Sequence, residues 1–219
     1  MERTDDLQVN GLRLIQNPSG FCFGSDSVEL ANFVTGSKRD RAVDLGAGNG
    51  IISVLLASKK GIKTTAVEID KAAADLCLRN AALNNLQELI EVINAPMQEA
   101  ALKKSASIVV CNPPYFKSGS GAMRANVSGA RHELYVTCKE VVHTASRLLS
   151  TGGRFFVCYP ADRMAELIAY CREFKLEPKE LVLLYCGADP PHLFLLKCVK
   201  DAGVGLKVTV RKMRNYGME

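Results

Sequence analysis

The segment Val43-Asp44-Leu45-Gly46-Ala47-Gly48-Asn49-Gly50 carries the strongest structural signal in the chain. The apolar run over residues 41–45 is typical of a buried strand, and the apolar residues 51–58 that follow the segment predict a helix. Glycine allows a tight backbone turn and lets a ligand approach the main chain closely. The segment therefore predicts a strand, a ligand-binding loop and a helix in succession.

A second strand is predicted over residues 63–68, and it ends in Glu68, eighteen residues after Gly50. A carboxylate at that place can accept hydrogen bonds from both hydroxyls of a ribose. A dinucleotide fold requires Gly-x-Gly-x-x-Gly, but the position of its third glycine here holds Ile51. The spacing therefore favours a nucleoside against the loop and disfavours a nicotinamide dehydrogenase. Asp70, which precedes the next helical run, is predicted to cap that helix.

The rest of the chain alternates between helical and extended patterns as far as residue 174. Helices are predicted over 71–84, about 133–149 and from residue 164, and strands over 89–93, 107–111 and 154–159. Residues 180–186 and 192–199 are too close together for a crossover helix, so they predict an antiparallel hairpin at the edge of the sheet. This order predicts an α/β, Rossmann-like fold with a mostly parallel seven-stranded sheet, a C-terminal edge hairpin and helices on both faces.

Composition limits the class of protein. The 219 residues suit one domain with additions, here an N-terminal extension and lid over 1–37, a main domain over 38–200 and a basic tail over 201–219. A hydrophobic fraction of 47% with 23% charged residues excludes a disordered chain. The sequence has no apolar stretch of about 18 residues and no signal-peptide pattern, so we expect no membrane contact and a cytoplasmic location. The eight cysteines lack zinc-like spacing, which predicts reduced core side chains and no metal site.

The predicted strand over 107–111 ends in the segment Asn112-Pro113-Pro114-Tyr115. Ligands bind at the carboxyl ends of parallel strands in such folds, so this segment faces the same crevice as the glycine loop. Two consecutive prolines remove two backbone donors, which leaves the Asn112 side-chain oxygen and the Pro113 carbonyl as acceptors. Two acceptors suit the two N–H groups of a planar amino nucleophile, and Tyr115 can stack on its ring. A rigid exit from the strand is the alternative interpretation.

The glycine loop and its carboxylates resemble the class I S-adenosylmethionine-dependent methyltransferases. The resemblance implies that Asp44 lies near the methionine amino end of the cofactor and that Glu68 holds the ribose. The segment at Asn112 resembles the motif of amino-group methyltransferases, which act on adenine N6, guanine N2 or glutamine N5. The candidate catalytic residues are therefore Asn112, Pro113, Pro114 and Tyr115.

Two flanking segments narrow the resemblance. Residues 16–31, together with 112–116 and 130–133, are similar to the bacterial tRNA(Val) adenine N6-methyltransferases, which modify the adenosine beside the anticodon. This implies a lid at Phe23, Gly24 and Asp26, near the methionine end and the target base. Asp26 and Glu29 also have the spacing of a capping box, so a role for Asp26 in starting a helix is an open alternative. The predicted cofactor-binding residues are Phe23, Asp26, Asp44, Gly46, Ala47, Gly48, Asn49, Gly50, Glu68, Ile69, Met97 and Asn112.

One position departs from the related enzymes. They place an aspartate after the third core strand to bind the adenine amino group of the cofactor, and Pro96 stands there in this chain. The adenine must then contact Asn94, the Met97 backbone N–H or mainly Ile69. This departure predicts a weaker affinity for the cofactor.

Basic residues supply the candidate RNA contacts. The net charge is +5, which suits an anionic partner. The tail beyond residue 200 can track phosphates or be a solvated terminus, and both interpretations stay open. The predicted RNA-binding residues are Lys117, Arg124, Arg131, Lys207, Arg211, Lys212 and Arg214.

We therefore expect an enzyme that methylates adenine N6 in tRNA, with S-adenosylmethionine as cofactor and tRNA as partner. An rRNA guanine-N2 or protein glutamine-N5 methyltransferase is the first alternative, although those relatives usually carry a larger N-terminal domain. A non-catalytic RNA-binding module on the same fold is the second. The sequence leaves the oligomeric state, monomer or homodimer, undecided.

Overall fold

The computed structural model describes residues 2–7, 11–17, 24–102, 105–113, 136–187 and 189–214. The helices are α1 (Ser25–Phe33), α2 (Ile51–Lys60), α3 (Lys71–Leu83), α4 (Cys138–Leu148) and α5 (Met164–Glu173), with 3-10 turns at Met97–Glu99 and Ala161–Arg163. The strands are β1 (Arg3–Asp6), β2 (Arg13–Gln16), β3 (Arg41–Leu45), β4 (Lys63–Glu68), β5 (Ile90–Asn94), β6 (Ala106–Cys111), β7 (Leu149–Pro160), β8 (Leu176–Tyr185), β9 (Leu193–Lys200) and β10 (Lys207–Lys212). None of the helices described is long and apolar enough to cross a membrane.

The main sheet has the strand order β10-β8-β9-β7-β6-β3-β4-β5. Pairing is parallel except on both sides of β9, which runs antiparallel to β7 and to β8. The predicted α/β fold with an antiparallel hairpin is therefore confirmed. The sheet has eight strands rather than the expected seven, because β10 pairs in parallel with β8 from Lys207 opposite Glu180 to Lys212 opposite Tyr185. The hairpin consequently lies inside the sheet, and β10 is the edge strand.

Helices cover both faces of the sheet. Helices α1, α2 and α3 pack on one face, and α4 and α5 pack on the other. Successive strand residues point to opposite faces, so Phe156 and Leu195 belong to the first layer whereas Phe155 and Phe194 belong to the second. The ring of Phe33 meets that of Phe156 edge to face, with centroids 5.8 Å apart. This contact fixes the end of α1 to the sheet.

The N-terminal hairpin β1–β2 lies against α3, outside the main sheet. Asn80 and Asn84 stand one turn apart on α3 and pair with the β2 backbone. Asn80 Oδ1 accepts from Ile15 N at 2.6 Å, and Asn84 Oδ1 accepts from Arg13 N at 3.0 Å. Their amide groups donate to the carbonyl oxygens of the same two residues. Two asparagine side chains therefore take the place of a neighbouring strand.

Several boundaries differ from the predicted ones. Strand β7 begins at Leu149 rather than at 154, and α4 begins at Cys138 after a capping box of Thr137 and Glu140. The predicted start of that helix near 133 lies outside the described residues. Strand β10 shares the sheet of the predicted main domain, and the division into extension, domain and tail stays a prediction. Six of the seven cysteines described are buried, and Cys186 is exposed.

Candidate active site

The carboxyl ends of β3, β4 and β6 lie together at one edge of the sheet. Leu45, the last residue of β3, stands opposite Val67 of β4 and Cys111 of β6. The glycine loop follows β3 directly, Glu68 ends β4, and Asn112 follows β6. The three features that the sequence predicts to share a crevice are therefore neighbours at this edge.

The glycine loop has a conformation that glycine adopts without strain. Gly46 and Gly48 have φ values of 70° and 56°, in the left-handed region. The amides of Gly46 and Ala47 donate to Val67 O at 2.9 and 3.1 Å, and the amide of Gly48 donates to Glu68 Oε2 at 2.8 Å. Because these amides bond within the protein, they do not surround a phosphate, in agreement with the nucleoside interpretation.

Gly50 also allows two helices to approach each other. Its φ is 85°, and a Cβ atom built on it would lie 2.4 Å from Cys77 Sγ and 3.3 Å from Cys77 Cα. A side chain at this position would push α2 away from α3. A Cβ on Gly48, by contrast, would meet nothing within 4 Å. The two glycines therefore have different roles. Gly50 allows close packing of α2 and α3, and Gly48 lies at an open surface.

Glu68 connects the loop to the end of β4. Its Oε2 accepts from Gly48 N and its Oε1 from Asp70 N, both at 2.8 Å, and the residue is 9% exposed. Each carboxylate oxygen has a further lone pair, so Glu68 can still accept from ribose hydroxyls. Asp70 Oδ1 in turn accepts from Ala72 N at 2.8 Å and Ala73 N at 3.4 Å, which confirms the predicted cap of α3.

Asp44 is buried beneath the loop, where it bonds to the first turn of α2. Its Oδ2 accepts from Ser53 N at 3.1 Å and from Ser53 Oγ at 2.7 Å. Its Oδ1 is buried and has no hydrogen-bond partner among the described residues. Burial raises the pKa of Asp44 to about 7 against the opposing hydrogen bonds of Ser53, and the nearby Glu68 carboxylate raises it further. A cationic group at Oδ1 would satisfy this oxygen and lower that pKa.

The position of Asp44 also bears on the class of nucleotide. In dinucleotide folds the pyrophosphate lies at the N-terminus of this helix, where backbone N–H groups and the helix dipole favour an anion. Here Asp44 already accepts from the amide of Ser53 in the first turn, and it places a carboxyl group beneath this end of the helix. The site therefore disfavours a pyrophosphate and, with it, a nicotinamide dehydrogenase.

A cavity of about 320 Å³ opens beside the loop. Pro96 lies in its wall, so that position offers no side-chain acceptor to a ligand. The amide of Asn94 donates to Glu68 O at 2.8 Å and to Ile69 O at 3.0 Å, so its donor is used within the protein. Ile69 and Met97 offer apolar contact to a flat ring, and Gln98 and Glu99 add polar groups to the lining. Its lining includes Gly46, Val67, Ile69, Pro96, Met97 and Glu140.

Asn112 directs its side-chain amide towards α1. Its Nδ2 donates to Asp26 Oδ2 at 3.0 Å and to Ser27 Oγ at 2.9 Å. An ionised carboxylate only accepts, so the amide nitrogen must be the atom beside Asp26, and this fixes which arm of the amide is the oxygen. Oδ1 is the other arm of the same planar amide, so the two bonds of Nδ2 also fix its direction.

Asp26 is not the N-cap of α1, but it does contribute to the start of the helix, because its Oδ1 accepts from Ser27 N at 2.8 Å. The N-cap of α1 is Gly24, which makes no side-chain cap bond, and Asp26 lies in the first turn. Glu29 points elsewhere: its carboxylate accepts from Arg211 Nη2 at 2.6 Å and from the backbone N of Arg214 at 3.1 Å. Asp26 and Glu29 therefore contact two different parts of the chain rather than each other's backbone.

Some of the remaining predicted residues lie on or just after β10, and the others lie outside the described parts of the chain. Lys207 lies at the start of β10, on the side of the sheet where the parallel strands begin. Lys212 and Arg214 lie at its carboxyl end, on the same side of the sheet as Asn112. Their contact with RNA stays a prediction. The predicted residues outside the described parts of the chain are Phe23, Pro114, Tyr115, Lys117, Arg124 and Arg131.

Sequence reasoning missed Ser27 and Ser53. Ser53 is the lone polar residue in the apolar run over 51–57, which is a usable signal for a buried polar contact. Ser27 stands in the run Ser25-Asp26-Ser27 at the start of α1, where nothing in the local sequence indicates Asn112 as its partner.

Known proteins resemble this chain in sequence and in fold. The family model described as methyltransferase small domain matches residues 24–169. The chain is 27% identical to the tRNA1(Val) (adenine(37)-N6)-methyltransferase of Shewanella woodyi, with 81% of this chain and 77% of that protein covered. It is 28% identical to the protein of the same name from Porphyromonas gingivalis, with 80% and 70% covered. A predicted O-methyltransferase from Agrobacterium tumefaciens, 21% identical, shares the fold with a TM-score of 0.67 over 86% of each chain.

Proposed function

The chain belongs to the methyltransferase small domain family, and from that premise we propose that it transfers a methyl group from S-adenosylmethionine to the exocyclic N6 of an adenine in tRNA. The Shewanella and Porphyromonas relatives carry names that specify adenine 37 of tRNA1(Val). The proposed target is therefore the adenosine beside the anticodon of tRNA(Val), and the proposed location is the cytoplasm, where tRNA is found.

The chemistry of S-adenosylmethionine fits the residues at the strand ends. When bound, it supplies an electrophilic methyl carbon on a sulfonium. Glu68 would hold the ribose hydroxyls, and Ile69 and Met97 would contact the adenine. The buried Asp44 Oδ1 and Asn49 Nδ2 have no hydrogen-bond partners among the described residues. An acceptor and a donor of this kind suit the ammonium and the carboxylate of an amino acid.

Asn112 would activate the adenine. The amino group of adenine is a weak nucleophile because its lone pair is delocalised into the ring. Two acceptors, Asn112 Oδ1 and Pro113 O, would draw its two N–H groups and let the nitrogen become pyramidal, so that the lone pair points to the methyl carbon. Tyr115, outside the described residues, would stack on the base. The product nitrogen is acidic and its proton can leave to water, so no general base is required.

The observation that carries the proposal is the fixed amide of Asn112. Its Nδ2 is held by Asp26 and Ser27, and the residue lies beside the glycine loop on the adjoining strand. A carbonyl whose orientation is fixed before the substrate binds costs little reorganisation during the reaction. This favours an enzyme over an RNA-binding module on the same fold.

The test is methylation of unmodified tRNA by the purified protein. Incubation with S-adenosylmethionine should produce N6-methyladenosine, detected by mass spectrometry of the digested nucleosides. Asn112→Ala should reduce turnover by about 100-fold or more and leave cofactor binding, measured by calorimetry, unchanged. Asn32→Ala, on the exposed side of α1, is the matched control. Methylguanosine, or methylglutamine in a protein, would instead support the first alternative.

A further inference from the structure

Helix α1 contacts two distant parts of the chain within two turns. Asp26 and Ser27, in its first turn, accept from the amide of Asn112 at 3.0 and 2.9 Å. Glu29, one turn further, accepts from Arg211 Nη2 at 2.6 Å. The same short helix therefore joins the candidate catalytic asparagine to the C-terminal strand.

Glu29 is the buried member of this contact, and the side chain of Arg211 is 40% exposed. The side chain of Glu29 is 2% exposed, and its other oxygen accepts from the backbone N of Arg214 at 3.1 Å. A buried carboxylate is costly unless charged and hydrogen-bonded partners compensate it. Because Arg211 supplies the opposite charge, the position of α1 depends on the position of β10.

Strand β10 is itself fixed to the sheet. It pairs in parallel with β8 over its whole length, and Met213 N continues the pairing by donating to Tyr185 O at 2.8 Å. The C-terminal end of α1 has its own contact with the sheet, through Phe33 and Phe156. The N-terminal end lacks a side-chain cap. Val28 packs it into the apolar core, and the neighbouring Glu29 supplies the charged contact that ties this end to β10.

We infer that Glu29 and Arg211 are positioning residues for Asn112. Their ion pair holds the first turn of α1 where Asp26 and Ser27 fix the asparagine amide, and its loss frees Oδ1 to leave the orientation needed for methyl transfer. Arg211 thereby acts within the protein and not only as a candidate contact for RNA. The inference rests on the proposed function for its kinetic consequence, but the coupling of β10 to Asn112 is independent of the substrate.

Kinetics give the first test. Arg211→Gln should lower kcat at least tenfold while the dissociation constant of S-adenosylmethionine changes less than twofold. The double variant Glu29→Gln with Arg211→Gln should recover part of the loss, because no unpaired charge is then buried. Arg172→Gln is the control, since it removes an arginine–glutamate pair on the opposite face of the sheet. An unchanged kcat in Arg211→Gln, or equal losses in the single and double variants, would overturn the inference.

Nuclear magnetic resonance gives a second test that needs no substrate. The side-chain amide signals of Asn112 can be identified because Asn112→Asp removes them. In Arg211→Gln, or in Glu29→Gln if that variant does not fold, these signals should move towards the positions of exposed asparagines. They should not move in Arg172→Gln. Unmoved signals in a protein that methylates tRNA contradict the inference alone, whereas shifted signals in a protein without methylation support it and contradict the proposed function.

Discussion

The two sides of the cleft are each stabilised by hydrogen bonds, but the bonded residues lie at very different distances along the sequence. On the side of the glycine loop, Glu68 accepts from the amide of Gly48, 20 residues away. On the side of α1, Glu29 accepts from Arg211, 182 residues away. The cofactor side is therefore built from neighbouring βα units, and the substrate side is assembled from the two ends of the described chain. Changes to the long-range side should impair turnover first, and changes to the local side should impair folding or cofactor binding.

Gly50→Ala should have the largest effect on the local side. The left-handed φ and the approach to Cys77 together should lower the free energy of unfolding by about 2 to 5 kcal/mol. Gly48→Ala is the matched control, because it has a similar φ but open space, and it should cost only about 1 kcal/mol. Denaturant unfolding of both variants measures the difference, and equal losses would contradict the packing role of Gly50.

Asp44→Asn should show how the local side depends on pH. Because the folded pKa of Asp44 is raised to about 7, the folded state binds this proton more tightly than the unfolded state does. The wild-type protein should therefore lose stability as pH rises from about 4 to about 7, and stay at the lower level above that. The loss between pH 5 and pH 8 should be on the order of 2 kcal/mol.

The asparagine variant lacks this titration, so its stability should exceed that of the wild type by more at pH 8 than at pH 5. Denaturant unfolding at both pH values gives the measurement. The same variant should bind S-adenosylmethionine less tightly, since a neutral amide no longer attracts an ammonium. A stability difference that does not vary with pH would exclude a raised pKa at Asp44.

Pro96→Asp should increase the affinity of the cofactor side for S-adenosylmethionine. An aspartate in the cavity wall would accept from the amino group of an adenine, and the affinity for S-adenosylmethionine should rise about tenfold, or about 1.4 kcal/mol. Calorimetry of the wild type, Pro96→Asp and Pro96→Ala provides the comparison. Tight binding by the wild type that the aspartate does not improve would remove the expected weakness at this position.

The smallest effect concerns the two ends of β10. Lys212 lies at the edge that carries Asn112, so Lys212→Gln should weaken tRNA binding and reduce the salt slope of log K by about 1. Lys207 lies at the opposite edge, and Lys207→Gln should leave the slope as it is. Equal slopes in both variants would mean that this end of β10 does not contact phosphate.

The same difference in range decides what the sequence could predict. The bounds of β3 and β4, the role of Asp70 as a cap and the neighbourhood of Glu68 and the loop all follow from signals a few residues apart. The β-branched residues within 207–212 are compatible with a strand. The segment is fixed as a strand only by its pairing with β8 and by the contact of Arg211 with Glu29. Such partners are set by tertiary packing, so they cannot be predicted from the spacing of residues within the segment.

The position of β10 has a consequence for self-association. It is one of the two outermost strands of the main sheet, and its Val208 and Val210 side chains are 56% and 61% exposed. An uncovered strand of this kind offers its backbone to another copy, which natural proteins often oppose with lysines. Lys207 and Lys212 stand at its two ends. Antiparallel pairing of β10 from two copies would therefore bring Lys207 of one copy close to Lys212 of the other. High salt, or neutralisation of these lysines, should therefore favour aggregation of the folded protein.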